Sequence, residues 1–175
     1  VVGTYAIYTT TYFLKKNNIK AFLCLIIPVY IFSISLTSIA VLNYNHYRVF
    51  VTSELHEKNY IAAYGAVIRA ASDTWHPLIP STKQARLALY QVSPTFALLK
   101  KYFEGDRGQD LATLNTSIES PPSSEKEIMG GHFYWAFREA VYLNTPNPNG
   151  DSVKNTYIKI YNEITSACRT NKIKC

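Results

Sequence analysis

Residues 21–42 read AFLCLIIPVYIFSISLTSIAVL, a run with no formally charged side chain. A helix needs roughly 20 predominantly apolar residues to cross a bilayer, so this run has the length of a transmembrane helix. Pro28 would break a soluble helix but is tolerated in a membrane, where hydroxyls such as those of Ser33, Ser35, Thr37 and Ser38 bond back to the backbone. Lys15-Lys16-Asn17-Asn18-Ile19-Lys20 precedes the run and Asn43-Tyr44-Asn45-His46-Tyr47-Arg48 follows it. Lysine on the N-terminal flank predicts a cytoplasmic N-terminal side and an extracytoplasmic C-terminal part. Two other readings share the composition: a buried core helix, and a secretory signal peptide. The run exceeds the roughly 7–15 apolar residues of a signal core, and Ser38-Ile39-Ala40 is the nearest approach to a cleavage pattern.

Outward from this run, residues 1–14 carry no charge and are too few to span a bilayer alone. They read as the end of a preceding transmembrane helix or as an apolar interfacial arm, with residues 15–20 a basic cytoplasmic loop. On the first of these readings the chain is a C-terminal part of a polytopic protein. Residues 43–175 remain, enough to bury a modest core. The formal net charge of the 175 residues is +6, of which Lys15, Lys16 and Lys20 supply three, leaving +3 for the rest. That remainder has no dense Lys/Arg block, which argues against nucleic acid as the principal partner; the flanking lysines suit anionic lipid head groups.

Cys24 lies in the apolar run and reads as a small hydrophobe. Cys168 and Cys175 are the only cysteines in the expected extracytoplasmic part. On an oxidising side of a membrane they would form a disulfide, and their spacing is not that of a redox-active Cys-x-x-Cys pair.

The rest of the chain reads as helices. Mixed three- and four-residue apolar spacing from Val51 to Ile68 predicts a helix starting near Val49 and ending at Ala71-Ser72-Asp73. Ser81 with Gln84 reads as a capping box, Ser93-Pro94 as a helix start ending at Gly105, and Ser124 with Glu127 as another capping box. Asp106 to Ser124 reads as a surface loop in which Leu111, Leu114 and Ile118 allow a turn or two of helix; Asn115-Thr116-Ser117 matches a weak glycosylation acceptor. A final amphipathic helix spans about Val153 to Cys168. No alternating strand pattern is present, so the expected fold is all-α: a transmembrane helix followed by a small extracytoplasmic helical domain.

Four residues stand out as candidate ligand-binding groups. On a helix, His132, Trp135 and Glu139 share one side and Arg138 flanks it. A guanidinium, a carboxylate and aromatic faces can hold a saccharide or a phosphate-bearing head group. The competing reading puts these aromatics in the core and turns Arg138 and Glu139 to other helices or to solvent. His56 with Glu57, and Asp73 with His76, are further acid–base pairs, each equally readable as ordinary surface groups. No zinc-protease, nucleophile-elbow, phosphate-loop or dinucleotide motif occurs, and the four histidines have no compact metal spacing. We therefore expect no cofactor and no metal, and assign no catalytic residue. Fourteen tyrosines suit an interfacial interaction role.

Leu89-Tyr90-Gln91-Val92-Ser93-Pro94, Trp135-Ala136-Phe137-Arg138-Glu139-Ala140, and Glu163-Ile164-Thr165-Ser166-Ala167-Cys168 followed by Cys175 together give the region a likeness. It resembles the C-terminal part of uncharacterised bacterial polytopic inner-membrane proteins. The resemblance implies a bacterial inner membrane with the C-terminal domain in the periplasm, and further transmembrane helices or membrane subunits as partners. It implies no catalytic role. The expected function is a noncatalytic interaction or scaffold module recognising an envelope component. The alternative is the periplasmic part of a membrane enzyme or transporter handling lipid-linked saccharides, with Arg138 and Glu139 orienting substrate.

Overall fold

The computed structural model describes residues 19–47, 50–73, 76–114 and 126–175. The arm at residues 1–14, the lysines at 15 and 16, the Asn115 acceptor, and Ser124 lie outside them. The chain divides into two units, residues 1–52 and 53–175.

In the first unit, α1 (Ile19–Tyr47) is one unbroken helix running through Pro28 and extending beyond residues 21–42 at both ends. Lys20 therefore belongs to its first turn and not to a loop. Within it, Ile26–Asn45 is long and apolar enough to cross a membrane. Val29, Tyr30, Ile31 and Phe32 are 64, 67, 59 and 63 % exposed. Four successive residues, about 100° apart, sample the whole circumference of a helix. An apolar surface exposed all round is not that of a soluble core helix. The expected hydroxyl back-bonds are present: Ser33 Oγ donates to the Val29 carbonyl at 2.8 Å, Ser35 Oγ to Ile31 at 2.9 Å and Thr37 Oγ1 to Ser33 at 2.8 Å. These three hydroxyls need no water.

The expectation of several membrane helices is corrected to one among the described residues. The longest of the other helices, the twenty residues Gly150–Arg169, carries Asp151, Lys154, Lys159, Glu163 and Arg169 along its length, and the rest are shorter.

The second unit is all-helical, its only described β-type pairing an isolated bridge between His76 and Ile79. A 3-10 turn, Glu54–His56, leads into α2 (Lys58–Arg69). The helix begins later than Val49 because the Glu57 carboxylate caps it, accepting from the Asn59 and Tyr60 amides at 2.8 and 2.9 Å. Helix α3 (Lys83–Val92) starts one residue later than expected, with Thr82 as its cap in place of Ser81. Ser93 caps α4 (Pro94–Ala97) with Pro94 at its first position, as the sequence suggests. The helix then breaks before α5 (Lys100–Glu104). The Leu99 amide bonds to Phe96 and the Tyr102 amide to Leu99, three-residue steps that tighten the backbone there.

A further helix, α6 (Asp106–Thr113), occupies the start of the expected loop and is about the turn or two of helix that stretch allows. Helix α7 (Gly130–Asn144) has Met129 at its cap position with no side-chain cap bond, and the Glu127 carboxylate just before it accepts from the Lys83 amide. Helix α8 (Gly150–Arg169) opens with a reciprocal capping box between Asn149 and Ser152. It ends at Asn171, whose φ of 52° is the left-handed conformation that stops a helix, with the Lys172 amide reaching back to the Ala167 carbonyl.

Helix α2 packs along α8, and the core they share is aromatic. Tyr60 meets Tyr157 edge-on at 5.3 Å, while Phe103 and Phe133 stack at 5.4 Å. Each such ring buries roughly 150–250 Å², so a few of them hold a domain of this size together.

The expected bond between Cys168 and Cys175 is present. It folds the C-terminal tail back over α8, where the Ala71 amide donates to the Lys174 carbonyl at 2.9 Å and Ile173 packs on the core. Replacing both cysteines by serine is expected to lower stability by about 2 kcal/mol, the loop-entropy value for so short a ring. Thermal melting should report the loss, and amide exchange should accelerate at Ala71; an unchanged melt would show that the bond holds nothing.

Candidate functional site

The residues Phe133, Ala136, Phe137, Ala140 and Val141 form the buried side of α7. That stripe fixes where the four candidate residues go. Trp135 points away from it and is 58 % exposed, its ring edge-on to Tyr134 at 6.4 Å. His132 and Arg138 are half-buried. Glu139 is turned to α6, where its carboxylate pairs with Arg107 Nη2 at 3.1 Å. Both partners are largely exposed, so the pair adds little to stability. The helix therefore sets Trp135 outward while Glu139 is engaged across to a neighbouring helix.

The other sequence candidates have structural work. Glu57 is the cap of α2. Asp73 lies 3.5 Å from Lys174 Nζ, and His76 Nδ1 accepts from the Leu78 amide at 3.3 Å. Among the described residues no group of three or more His, Cys, Asp or Glu side chains could hold a metal ion. A shallow open hollow of about 230 Å³ lies beside the C-terminal tail, lined by Ala70, Gln84, Ala88, Lys172, Ile173 and Lys174.

The strongest polar cluster is one that sequence reasoning missed. Arg86, only 3 % exposed, bonds Glu104 Oε1 through Nε at 2.8 Å, and reaches Glu127 Oε2 at 3.3 Å and the Ser81 carbonyl at 2.8 Å through Nη1. Tyr90 donates to Glu104 at 2.9 Å, and the Lys83 amide to Glu127 at 2.7 Å. Burial alone would lower the guanidinium pKa; the bond and charge of Glu104, then Glu127, outweigh it and hold the pKa above the ordinary value. The cluster ties α3, α5 and the segment before α7 together. Its polar atoms are spent on one another, as in a structural clasp.

Four core tyrosines, at positions 60, 64, 90 and 102, have pKa values raised chiefly by burial, that of Tyr102 to about 12. The folded state thus keeps phenolic protons that the unfolded chain releases near the usual value of about 10. Stability from this source is complete below that pH and is lost as pH rises through the folded values. Melting temperature should hold from neutrality to about pH 9 and fall above about pH 10, while tyrosinate absorbance lags until unfolding. Ionisation of all fourteen tyrosines near the ordinary value, with the fold intact, would contradict this.

Comparison of the chain with protein-family models, curated proteins and solved structures finds no match. With a single candidate span among the described residues, the likeness to polytopic inner-membrane proteins is not sustained. What the residues define is a small all-helical domain, carrying no cluster fit for a metal among its described residues, preceded by one apolar helix.

Proposed function

We infer that the chain is a membrane-anchored protein in which α1 is the anchor and the helical unit, residues 53–175, is a noncatalytic interaction module on the extracytoplasmic side. The observation that carries this is the apolar surface of α1, exposed on every side over Val29–Phe32. Such a surface is stable in lipid and costly in water. Lysine on the N-terminal flank supports an N-terminus in the cytoplasm, and the Cys168–Cys175 bond suits an oxidising compartment beyond the bilayer. In a bacterial inner membrane that side is the periplasm. Trp135, exposed on α7 among His132, Arg138 and Glu139, offers the module a recognition surface; the saccharide-handling alternative leaned on further membrane helices.

The test is alkaline carbonate extraction with maleimide labelling in intact cells. The chain should stay in the membrane fraction, with Cys168 and Cys175 unlabelled until a membrane-impermeant reductant is added. Release by carbonate would refute the anchor, and free thiols labelled only after permeabilisation would reverse the topology.

A further inference from the structure

The Trp135 end of the domain is also the end at which the chain enters it. Tyr134 Oη donates to the Leu55 carbonyl at 2.8 Å, which pins the start of α7 to the turn Glu54–His56. Tyr134 also meets Tyr60, in the first turn of α2, at 5.0 Å. The residues that follow Tyr134 and Tyr60 in the chain, Trp135 and Ile61, are apolar and turned to the surface. Trp135 and Ile61 are 58 and 51 % exposed, and a Cβ added at Gly131, one turn before Trp135, would meet nothing within 4 Å. His56 and Lys58, at the entry to α2, are exposed, while the intervening Glu57 carboxylate is occupied in capping α2.

Chain length limits how far this end can stray from the membrane. Leu55 follows the last residue of α1, Tyr47, by eight residues. Fully extended, such a stretch reaches about 28 Å. The last turn of α1 carries Tyr44 and the segment after it carries Phe50, 48 and 61 % exposed. Tyrosine and tryptophan concentrate where the bilayer meets water, since one part of the ring is apolar and the other makes a hydrogen bond.

Resting on the reading of α1 as an anchor, we propose that this end of the domain seats on the phospholipid head-group layer of the same membrane. Trp135 and Ile61 enter the interface, and Lys58 and His56 lie over lipid phosphates. A patch this small binds weakly by itself. Tethering makes the second contact intramolecular, at an effective concentration in the mM range, so weak affinity suffices. The seat fixes the orientation of the module and makes the lipid head group the component that Trp135 meets.

The experiment uses the full chain in phosphatidylcholine–phosphatidylglycerol vesicles containing lipids brominated near the head group or deep in the acyl chain. The sequence has two tryptophans, Trp75 and Trp135, and neither is in α1. Subtracting the emission of the Trp135→Phe protein from that of the wild type isolates Trp135, whose exposed ring is replaceable without disturbing the core. The expected difference signal is blue-shifted and quenched about twofold by shallow bromines, with little acrylamide quenching. Loss of that shallow quenching with full access to acrylamide would overturn the proposal, as would protection from both quenchers, which places another protein over Trp135. Vesicle flotation separates the two readings. A chain that floats with Trp135 unquenched keeps its anchor and loses the seat; a chain that does not float loses the anchor.

Discussion

Arg86→Met is expected to destabilise the domain by about 3–5 kcal/mol, because it removes one partner of a buried ion cluster and leaves the others behind. Glu104 and Glu127 are 17 and 7 % exposed at their side chains, and the Arg86 guanidinium is the cation that meets both. Methionine fills most of the arginine stem's volume, so the loss is electrostatic and not a cavity. The melting temperature should fall by about 10 °C or more. The triple variant Arg86→Met, Glu104→Gln, Glu127→Gln separates the causes. It neutralises the stranded carboxylates and should recover part of the loss although it carries two more substitutions. A single variant within about 1 kcal/mol of the wild type would mean that water or a neighbouring cation already serves the two carboxylates.

That cluster also marks the boundary of what the sequence makes legible. Local signals carry through: Ser93-Pro94 starts a helix because its cap and its proline are adjacent, and the Cys168–Cys175 ring is closed within seven residues. Arg86 finds Glu104 and Glu127 at separations of 18 and 41 residues, and no pattern along the chain announces such a meeting. A hint exists in retrospect. Ala85, Arg86, Leu89 and Tyr90 are the buried positions of α3, so an arginine occupies the apolar stripe, which calls for a buried acid. Glu127 is likewise engaged far along the chain, by the Lys83 amide and Arg86.

The candidate site follows the same division. Spacing places His132, Trp135 and Glu139 on one side of a helix, and α7 is indeed one helix through them. Which side faces the core depends on the competing stripe Phe133, Ala136, Phe137, Ala140 and Val141, whose three- and four-residue steps are the stronger amphipathic signal. Weighing the two stripes against each other would have turned Trp135 outward from sequence alone. The engagement of Glu139 with Arg107 would still have been missed, because the two lie 32 residues apart on separate helices and no pattern along the chain announces their meeting.

Glycine 105 and glycine 108 are what let α6 fold back on α5, and the second of them carries the larger expected effect. A Cβ at Gly108 would lie 1.8 Å from the Phe103 carbonyl oxygen and 2.4 Å from its carbon. Those are backbone atoms at the end of α5, and they cannot rotate away as a side chain would. No described glycine has a positive φ, so the restriction is one of space and not of backbone conformation. Gly108→Ala must therefore push α6 off α5 and disturb Phe103, which is packed on Phe96 and Phe133. The expected loss is about 3 kcal/mol or more, at the upper end of overpacking effects. Gly65→Ala is the matched control, since nothing lies within 4 Å of a Cβ there and the position is interior to α2. Alanine is the better helix former, so that variant should gain about 0.5–1 kcal/mol. Opposite signs for the same chemical change, read from paired melting curves, would confirm that the α5–α6 corner is closed by backbone contact; a neutral Gly108→Ala would mean that the corner opens at little cost.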